Sequence, residues 1–294
     1  MLFKVLTSSF LNLSDLSSID LVSIINSDIT NPVLKDKSIG LLFEKHSTRT
    51  RLSFSVGIQN LGGNIIDIKF EELNISRDES FEDTFKAMNC YLDGLIYRTT
   101  DHKRLNKASK FFSKPIINAL SDISHPCQTI GDLLTLKENF GSLNLNILWM
   151  GDMNNVCYSL VESVNLISDL KLIICSPTSI IQTNNWKMES NITVTDNLDK
   201  IDFKNINCVM TDVFISMNDK ESQKKVEILK PYSVTTELMS KTPANCIFMH
   251  CLPAKVGLEV SEEVFKSDKS IVWRQAFNRM IAQNNMLRII NWDK

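Results

Sequence analysis

The chain has 294 residues, with 32 Lys+Arg against 34 Asp+Glu, a net charge of −2 and 43% hydrophobic residues. These are the proportions of a soluble globular protein long enough for two ordinary domains. Basic residues form no long run and no stretch of 18 uncharged apolar residues occurs, so neither a nucleic-acid nor a membrane partner is expected. Seven cysteines, an odd number with no C-x-x-C pair, suit reduced thiols in a cytoplasm and give neither a disulfide framework nor a zinc set. The first ten residues lack a long apolar core and a small-residue cleavage site, so a cytoplasmic location is expected.

Short β-like apolar runs alternate with helical stretches. Strands are expected at 38–43, 64–68, 93–97, 115–118, 145–150, 171–175, 192–195, 207–211, 246–249 and 270–273. Helices are expected at 14–27, 48–61, 79–91, 101–112, 127–140, 155–168, 220–229 and 274–291. Such alternation predicts an α/β fold with parallel sheets covered on both faces. Ten strands exceed one comfortable sheet, so two doubly wound domains are expected, at 1–140 and 141–273. A C-terminal helix within 274–294 then crosses back to the first. Sites in such folds lie outside the carboxyl ends of the strands and in the crevice between domains.

The first strand end is the most informative. Ser47-Thr48-Arg49-Thr50-Arg51 follows the run Ile39–Phe43 and opens a helix whose Leu52, Phe54, Val56, Ile58 and Leu61 make it apolar on most sides. A helix N-terminus with arginines attracts anions, because unpaired N–H groups and planar guanidinium forks both seek oxygen. Only eight residues of the chain are arginine, and two fall here, Arg49 and Arg51. By itself Ser47 is an ordinary helix cap; arginines on a buried helix make the segment a phosphate seat, Arg49 and Arg51 included. Farther on, Arg98 ends the strand 93–97. His125-Pro126-Cys127-Gln128 follows the strand 115–118, with proline suited to a first helical turn. His125 and Gln128 can donate to a carbonyl oxygen there, or can serve as a local cap and a surface amide.

The strand 145–150 leads to Gly151-Asp152-Met153-Asn154-Asn155, which lacks the G-x-G-x-x-G fingerprint of a dinucleotide site. Its asparagines cap a helix or hold a carboxylate. After 207–211 come Asp212, Ser216 and Met217; an aspartate at a strand end pairs with an ammonium or caps a turn. The strand 246–249 ends in His250-Cys251-Leu252-Pro253. A Cys–His nucleophile is disfavoured there, because neighbours on an extended chain point to opposite sides. Arg279 lies on the last helix. Four histidines, with no H-x-x-x-H, give no metal set. Taken together, the clusters suit a phosphorylated acyl donor in the first domain and an amine acceptor in the second.

Ser47-Thr48-Arg49-Thr50-Arg51, His125-Pro126-Cys127-Gln128 and His250-Cys251-Leu252-Pro253, in this order and spacing, resemble the carbamoyltransferase family across nearly the whole chain. His-Cys-Leu-Pro and Asp212-x-x-x-Ser216-Met217 resemble its ornithine branch, as opposed to the aspartate branch. The resemblance implies transfer of the carbamoyl group of carbamoyl phosphate to the δ-amine of L-ornithine, giving L-citrulline and phosphate in arginine metabolism. No cofactor and no metal are implied, and a homo-oligomer, a trimer or a multiple of it, is. Ser47, Thr48, Arg49 and Thr50 would bind carbamoyl phosphate, Arg98, His125 and Gln128 would polarise its carbonyl, and Arg279 would close over it. Asn155, Asp212, Ser216 and Met217 would hold ornithine, with Cys251 and Leu252 near the attacking amine. The catalytic set so implied is Arg98, His125, Gln128, Asp212, Cys251 and Arg279. Asn218 stands where the family has glycine, and Phe277 where it has glutamate. The competing expectations are another amine acceptor, or a non-catalytic binding protein of the same fold.

Overall fold

The computed structural model describes residues 9–27, 31–76, 78–215 and 222–292. In chain order the elements are α1 (Ser18–Asn26), β1 (Ser38–Phe43), α2 (Thr48–Asn60), β2 (Asn64–Lys69), α3 (Phe81–Tyr91), β3 (Gly94–Arg98), α4 (His102–Phe111), β4 (Ile116–Leu120) and α5 (Pro126–Phe140). They continue as β5 (Asn146–Met150), α6 (Asn155–Leu166), β6 (Lys171–Cys175), α7 (Thr178–Ile181), β7 (Ile192–Thr195), β8 (Cys208–Thr211), α8 (Ser222–Leu229), α9 (Thr236–Ser240), β9 (Ile247–His250), α10 (Glu262–Lys266) and α11 (Val272–Arg288).

The chain divides into two compact units. The first runs to Leu134 and resumes at Phe277; the second is Thr135–Ala276. The changes of unit fall inside α5 and α11, not in loops.

The first unit holds a four-stranded sheet in the order β2-β1-β3-β4, and every pairing in it is parallel. Its inner strands are continuous apolar runs because helices cover both faces; all five residues of β3 are buried. Leu42, Leu95 and Tyr97 pack there with Phe85 and Met88 of α3 and Leu105 and Ala108 of α4. The second unit holds a five-stranded parallel sheet in the order β7-β6-β5-β8-β9. Leu148, Val209 and Phe248 of its inner strands share a core with Val260, Val264 and Val272.

In each sheet the strand order reverses once, between β1 and β3 and between β5 and β8. A reversal sends the two following connections to opposite faces and leaves a crevice at the carboxyl ends. Both crevices fall on sequence-predicted clusters.

One expected strand is absent. Residues 270–273 form only a single bridge, Ser270 to Phe248, and Val272 already starts α11. Ile271-Val272-Trp273 is apolar enough to suggest a strand, but the backbone turns helical before a second rung forms. The first helix is also shorter than expected, because Ser17 caps it at Ser18 by accepting from the Asp20 N–H.

Candidate functional site

In the first unit the crevice lies between the ends of β1 and β3. Ser47 is the N-cap of α2, yet its side chain makes no capping bond. Its Oγ instead accepts from Arg98 Nη1 at 3.3 Å. The first turn of α2, Thr48-Arg49-Thr50-Arg51, carries no acidic residue, so its N–H groups and dipole meet no intrahelical anion. Thr50 and Arg98 are buried. Between Tyr97 and Arg98 the register with β4 slips by one residue, so Arg98 pairs with Leu120. Such an irregularity re-aims a side chain at a strand end.

His125 and Gln128 enter at the start of α5, both buried. Gln128 is fixed at both ends of its amide: Nε2 donates to Asp132 Oδ1 at 2.8 Å, and Oε1 accepts from Arg279 Nη1 at 2.8 Å. Burial holds His125 well below the ordinary imidazole pKa, and Arg279, Arg98 and Arg49 push the same way. The ring is therefore neutral among three guanidiniums. Arg279 reaches the cluster because position 131 is glycine. A Cβ there would lie 2.8 Å from Arg279 Cα and 3.2 Å from its backbone nitrogen, so only glycine lets α11 come this close to α5. The thiol of Cys127 faces the other way, toward the Asn118 carbonyl, and burial pushes its pKa up to about 12.

One expected phosphate ligand is elsewhere. Arg51 pairs with Asp67 of β2 and sits over the Phe43 ring, 4.7 Å from its centroid. A residue two after Arg49 points about 200° around the helix from it, so the two arginines cannot share one anion.

In the second unit the crevice lies between the ends of β5 and β8. Asp212 follows β8 and is buried. Its Oδ2 accepts from Asn154 Nδ2 at 2.7 Å and its Oδ1 from the Cys251 thiol at 2.8 Å. Asn154 also caps α6, its Oδ1 accepting from the N–H groups of Val156 and Cys157. It thus joins the helix start to the carboxylate. Asn155, half-buried, is the first residue of that helix. The sequence offered both asparagines as helix caps or carboxylate holders but put only Asn155 in the acceptor set; Asn154 is the one that caps α6 and bonds Asp212.

His250 ends β9 and is buried. Its Nδ1 accepts the Leu252 N–H at 2.8 Å, which puts the ring proton on Nε2, facing Glu259 Oε1 at 3.3 Å. His250 is thereby committed to Glu259 and Leu252, while Cys251 is committed to Asp212, so the pair forms no nucleophilic dyad. Leu252 holds φ at 60° while packing in the unit's core. Ligand atoms of Asp212, His250 and Cys251 lie within 4.8 Å of one another, the one such convergence among the described residues. Asp212 and Cys251 are already hydrogen-bonded to each other, and the two ring nitrogens of His250 to Leu252 and Glu259. Ser216, Met217 and Asn218 lie outside the described residues. Phe277 is half-exposed on α11, and Arg279 has Gln128 to hold it in place of a neighbouring carboxylate.

Ser47, Thr48, Arg49, Thr50, Arg98, His125, Gln128 and Arg279 thus all belong to the first unit. Asn155, Asp212, Cys251 and Leu252 all belong to the second.

Comparison with known proteins finds one domain model over each part of the chain, with Arg279 inside the second match. Residues 9–138 match the carbamoyl-P binding domain of aspartate/ornithine carbamoyltransferase, and residues 143–290 match its Asp/Orn binding domain. The chain is 38% identical over 270 residues to the ornithine carbamoyltransferase of Methanosphaera stadtmanae, covering 88% of this chain and 89% of that one. It is 35% identical over 300 residues to that of Methanococcus aeolicus, covering 95% and 98%. Among solved structures, the ornithine carbamoyltransferase from Pyrococcus furiosus superposes with a TM-score of 0.86 at 29% identity, covering 99% of this chain and 98% of its own.

Proposed function

The chain belongs to the aspartate/ornithine carbamoyltransferase family, and we propose that it transfers the carbamoyl group of carbamoyl phosphate to the δ-amine of L-ornithine, giving L-citrulline and phosphate. The observation that carries the reading is the chemistry of the two crevices. One gathers guanidiniums, hydroxyls and a neutral imidazole; the other gathers a carboxylate, amides and a thiol.

Ser47, Thr48, Arg49 and Thr50 bind the phosphate of the donor at the start of α2. Arg98, His125 and Gln128 face the carbamoyl oxygen, with Arg279 alongside. A neutral imidazole is the right form for this task, since it donates a hydrogen bond without adding a fourth positive charge. Asp212, Asn155, Ser216 and Met217 hold the α-amino and carboxylate groups of ornithine. Cys251 and the Leu252 carbonyl lie by the δ-nitrogen.

The ornithine δ-ammonium, whose basicity is that of lysine, must first lose a proton. Its lone pair then attacks the carbamoyl carbon and the C=O electrons move onto oxygen, where Arg98 and His125 stabilise the charge. Donors of this kind are each worth roughly 10²–10³ in rate. Collapse of the tetrahedral species breaks the carbon–oxygen bond to phosphate; the attacking nitrogen, cationic after attack, gives its second proton to a phosphate oxygen, and hydrogen phosphate leaves into the guanidinium cluster.

The same reading takes the protein as a cytoplasmic enzyme of arginine metabolism. Among the described residues no helix is long and apolar enough to cross a membrane, and all seven cysteines are free thiols. It also takes the protein as a homo-oligomer, a trimer or a multiple of it. Leu52 and Val56 of α2 and Ile66 of β2 are exposed and would suit a second copy.

The test is citrulline formation by purified protein from carbamoyl phosphate and L-ornithine, with L-aspartate, putrescine and N-acetylornithine in parallel. Product from ornithine alone is expected. Product from another amine keeps the donor site and overturns the acceptor; no product from any amine overturns the reading.

A further inference from the structure

Glu44 is a charged side chain just beyond β1, three residues before Ser47, and it is only 5% exposed. A carboxylate withdrawn from water needs strong partners or it costs several kcal/mol. Glu44 takes them from two neighbouring stretches of chain. Tyr97 Oη, on β3, donates to Oε1 at 2.5 Å. Arg104 Nη1, on α4, donates to Oε2 at 2.6 Å and packs over the Phe70 ring. The Thr100 N–H reaches the same Oε2 at 3.3 Å.

These partners bracket Arg98. Tyr97 precedes it and Thr100 follows it by two, and the Glu44 N–H donates to the Arg98 carbonyl at 3.0 Å. This matters because β4 does not hold Arg98 in regular register: the pairing slips just there. On that flank the ladder cannot define where the guanidinium points. On the other flank, Glu44 grips the backbone of Arg98 and the side chain before it. Glu44 is also tied through the short segment 45–46 to Ser47, whose Oγ receives the Arg98 guanidinium. The clamp therefore sets the two ends of one contact, Ser47 and Arg98, relative to each other. Burial and the Glu44 charge hold the Tyr97 phenol protonated, so it stays a donor to the carboxylate.

We propose that Glu44, with Tyr97 and Arg104, is a positioning residue of the donor site: it fixes the Ser47–Arg98 geometry that receives the phosphate and carbonyl oxygens of the phosphorylated substrate. Glu44 touches no substrate itself. The inference rests on the assignment of this crevice to carbamoyl phosphate.

The experiment compares wild type with Glu44→Gln, Tyr97→Phe and Arg104→Met. It measures kcat, KM for each substrate and the Kd of inorganic phosphate by isothermal titration calorimetry. In Glu44→Gln the KM for carbamoyl phosphate and the phosphate Kd rise about tenfold or more, since displacements near 1 Å cost up to about 10² in such sites. The KM for ornithine stays within about twofold. Tyr97→Phe and Arg104→Met shift the same two donor parameters by less and carry the test if Glu44→Gln does not fold. Variants that melt earlier but keep wild-type donor KM and phosphate Kd overturn the proposal and leave Glu44 a purely structural ion pair. Wild-type protein that binds phosphate but makes no citrulline overturns the functional assignment alone, and the phosphate Kd series still decides the role of Glu44.

Discussion

Gly131→Ala separates folding from catalysis at one atom. The added Cβ would sit 2.8 Å from Arg279 Cα and 3.2 Å from its nitrogen, both backbone positions that no side-chain rotation relieves. Reaching ordinary contact at 3.4 Å requires the α11 backbone to move by about 0.6 Å, the difference of the two distances. Overpacking of this kind costs about 1–3 kcal/mol. Replacing glycine by alanine inside a helix returns about 0.5–1 kcal/mol. Net destabilisation is therefore modest, about 0–2.5 kcal/mol. Catalysis has no such compensation. Arg279 moves with its backbone, and its 2.8 Å bond to Gln128 stretches or re-forms off line. A shift of about 1 Å in a positioned group costs up to about 10² in rate, so turnover should fall about 10–100-fold. The assay pairs citrulline kcat with a thermal melt. Wild-type kcat with an unchanged melting temperature would show that α11 yields without consequence and refute the packing argument. A loss of kcat explained wholly by unfolding at assay temperature would refute its separation from stability.

Arg98→Ala should lower turnover by roughly 10²–10³ and Arg49→Ala by a comparable factor, with Cys251→Ala losing far less; a near-normal rate for Arg49→Ala would remove the phosphate seat. Asn154→Ala forfeits a helix cap, about 1 kcal/mol, together with its bond to Asp212. The melting temperature should drop and the acceptor KM rise with the donor KM unchanged; equal shifts in both KM values would count against the acceptor assignment. His125 has a folded-state pKa well below its ordinary value near 6.5, and burial lowers His102 as well. Below about pH 6.5 the unfolded chain takes up these protons and the folded one does not, so stability is full above that pH and declines as pH falls through it. Melts from pH 8 to 5 should show that slope, shallower in His102→Asn.

Most strands were legible because buried parallel strands are unbroken apolar runs, as in Ile39–Phe43 and Leu95–Tyr97, and because short spacers force the next element. The clusters were legible because each sits immediately after such a run. What failed to show had no local signature. Arg49 and Arg51 read alike as cations near a helix start, and only the helical turn, with Asp67 waiting on β2, separates their fates. Asn154 and Asn155 are identical letters whose roles depend on which residue starts α6. Glu44, Tyr97 and Arg104 are 53 to 60 positions apart in their contacts, and no spacing rule joins them. The 270–273 run failed for the converse reason: three apolar residues fit a strand and a helix start equally well.

Leu252 answers to two masters. Its backbone, at φ 60°, occupies a region that glycine enters freely and a branched aliphatic resists. Its side chain meanwhile fills a place in the core of the second unit, 8% exposed. Glycine would relax the chain but hollow the core, and valine would fill the core but fight the chain. Screens for stabilising substitutions should therefore find this position barren, since each improvement on one side undoes the other.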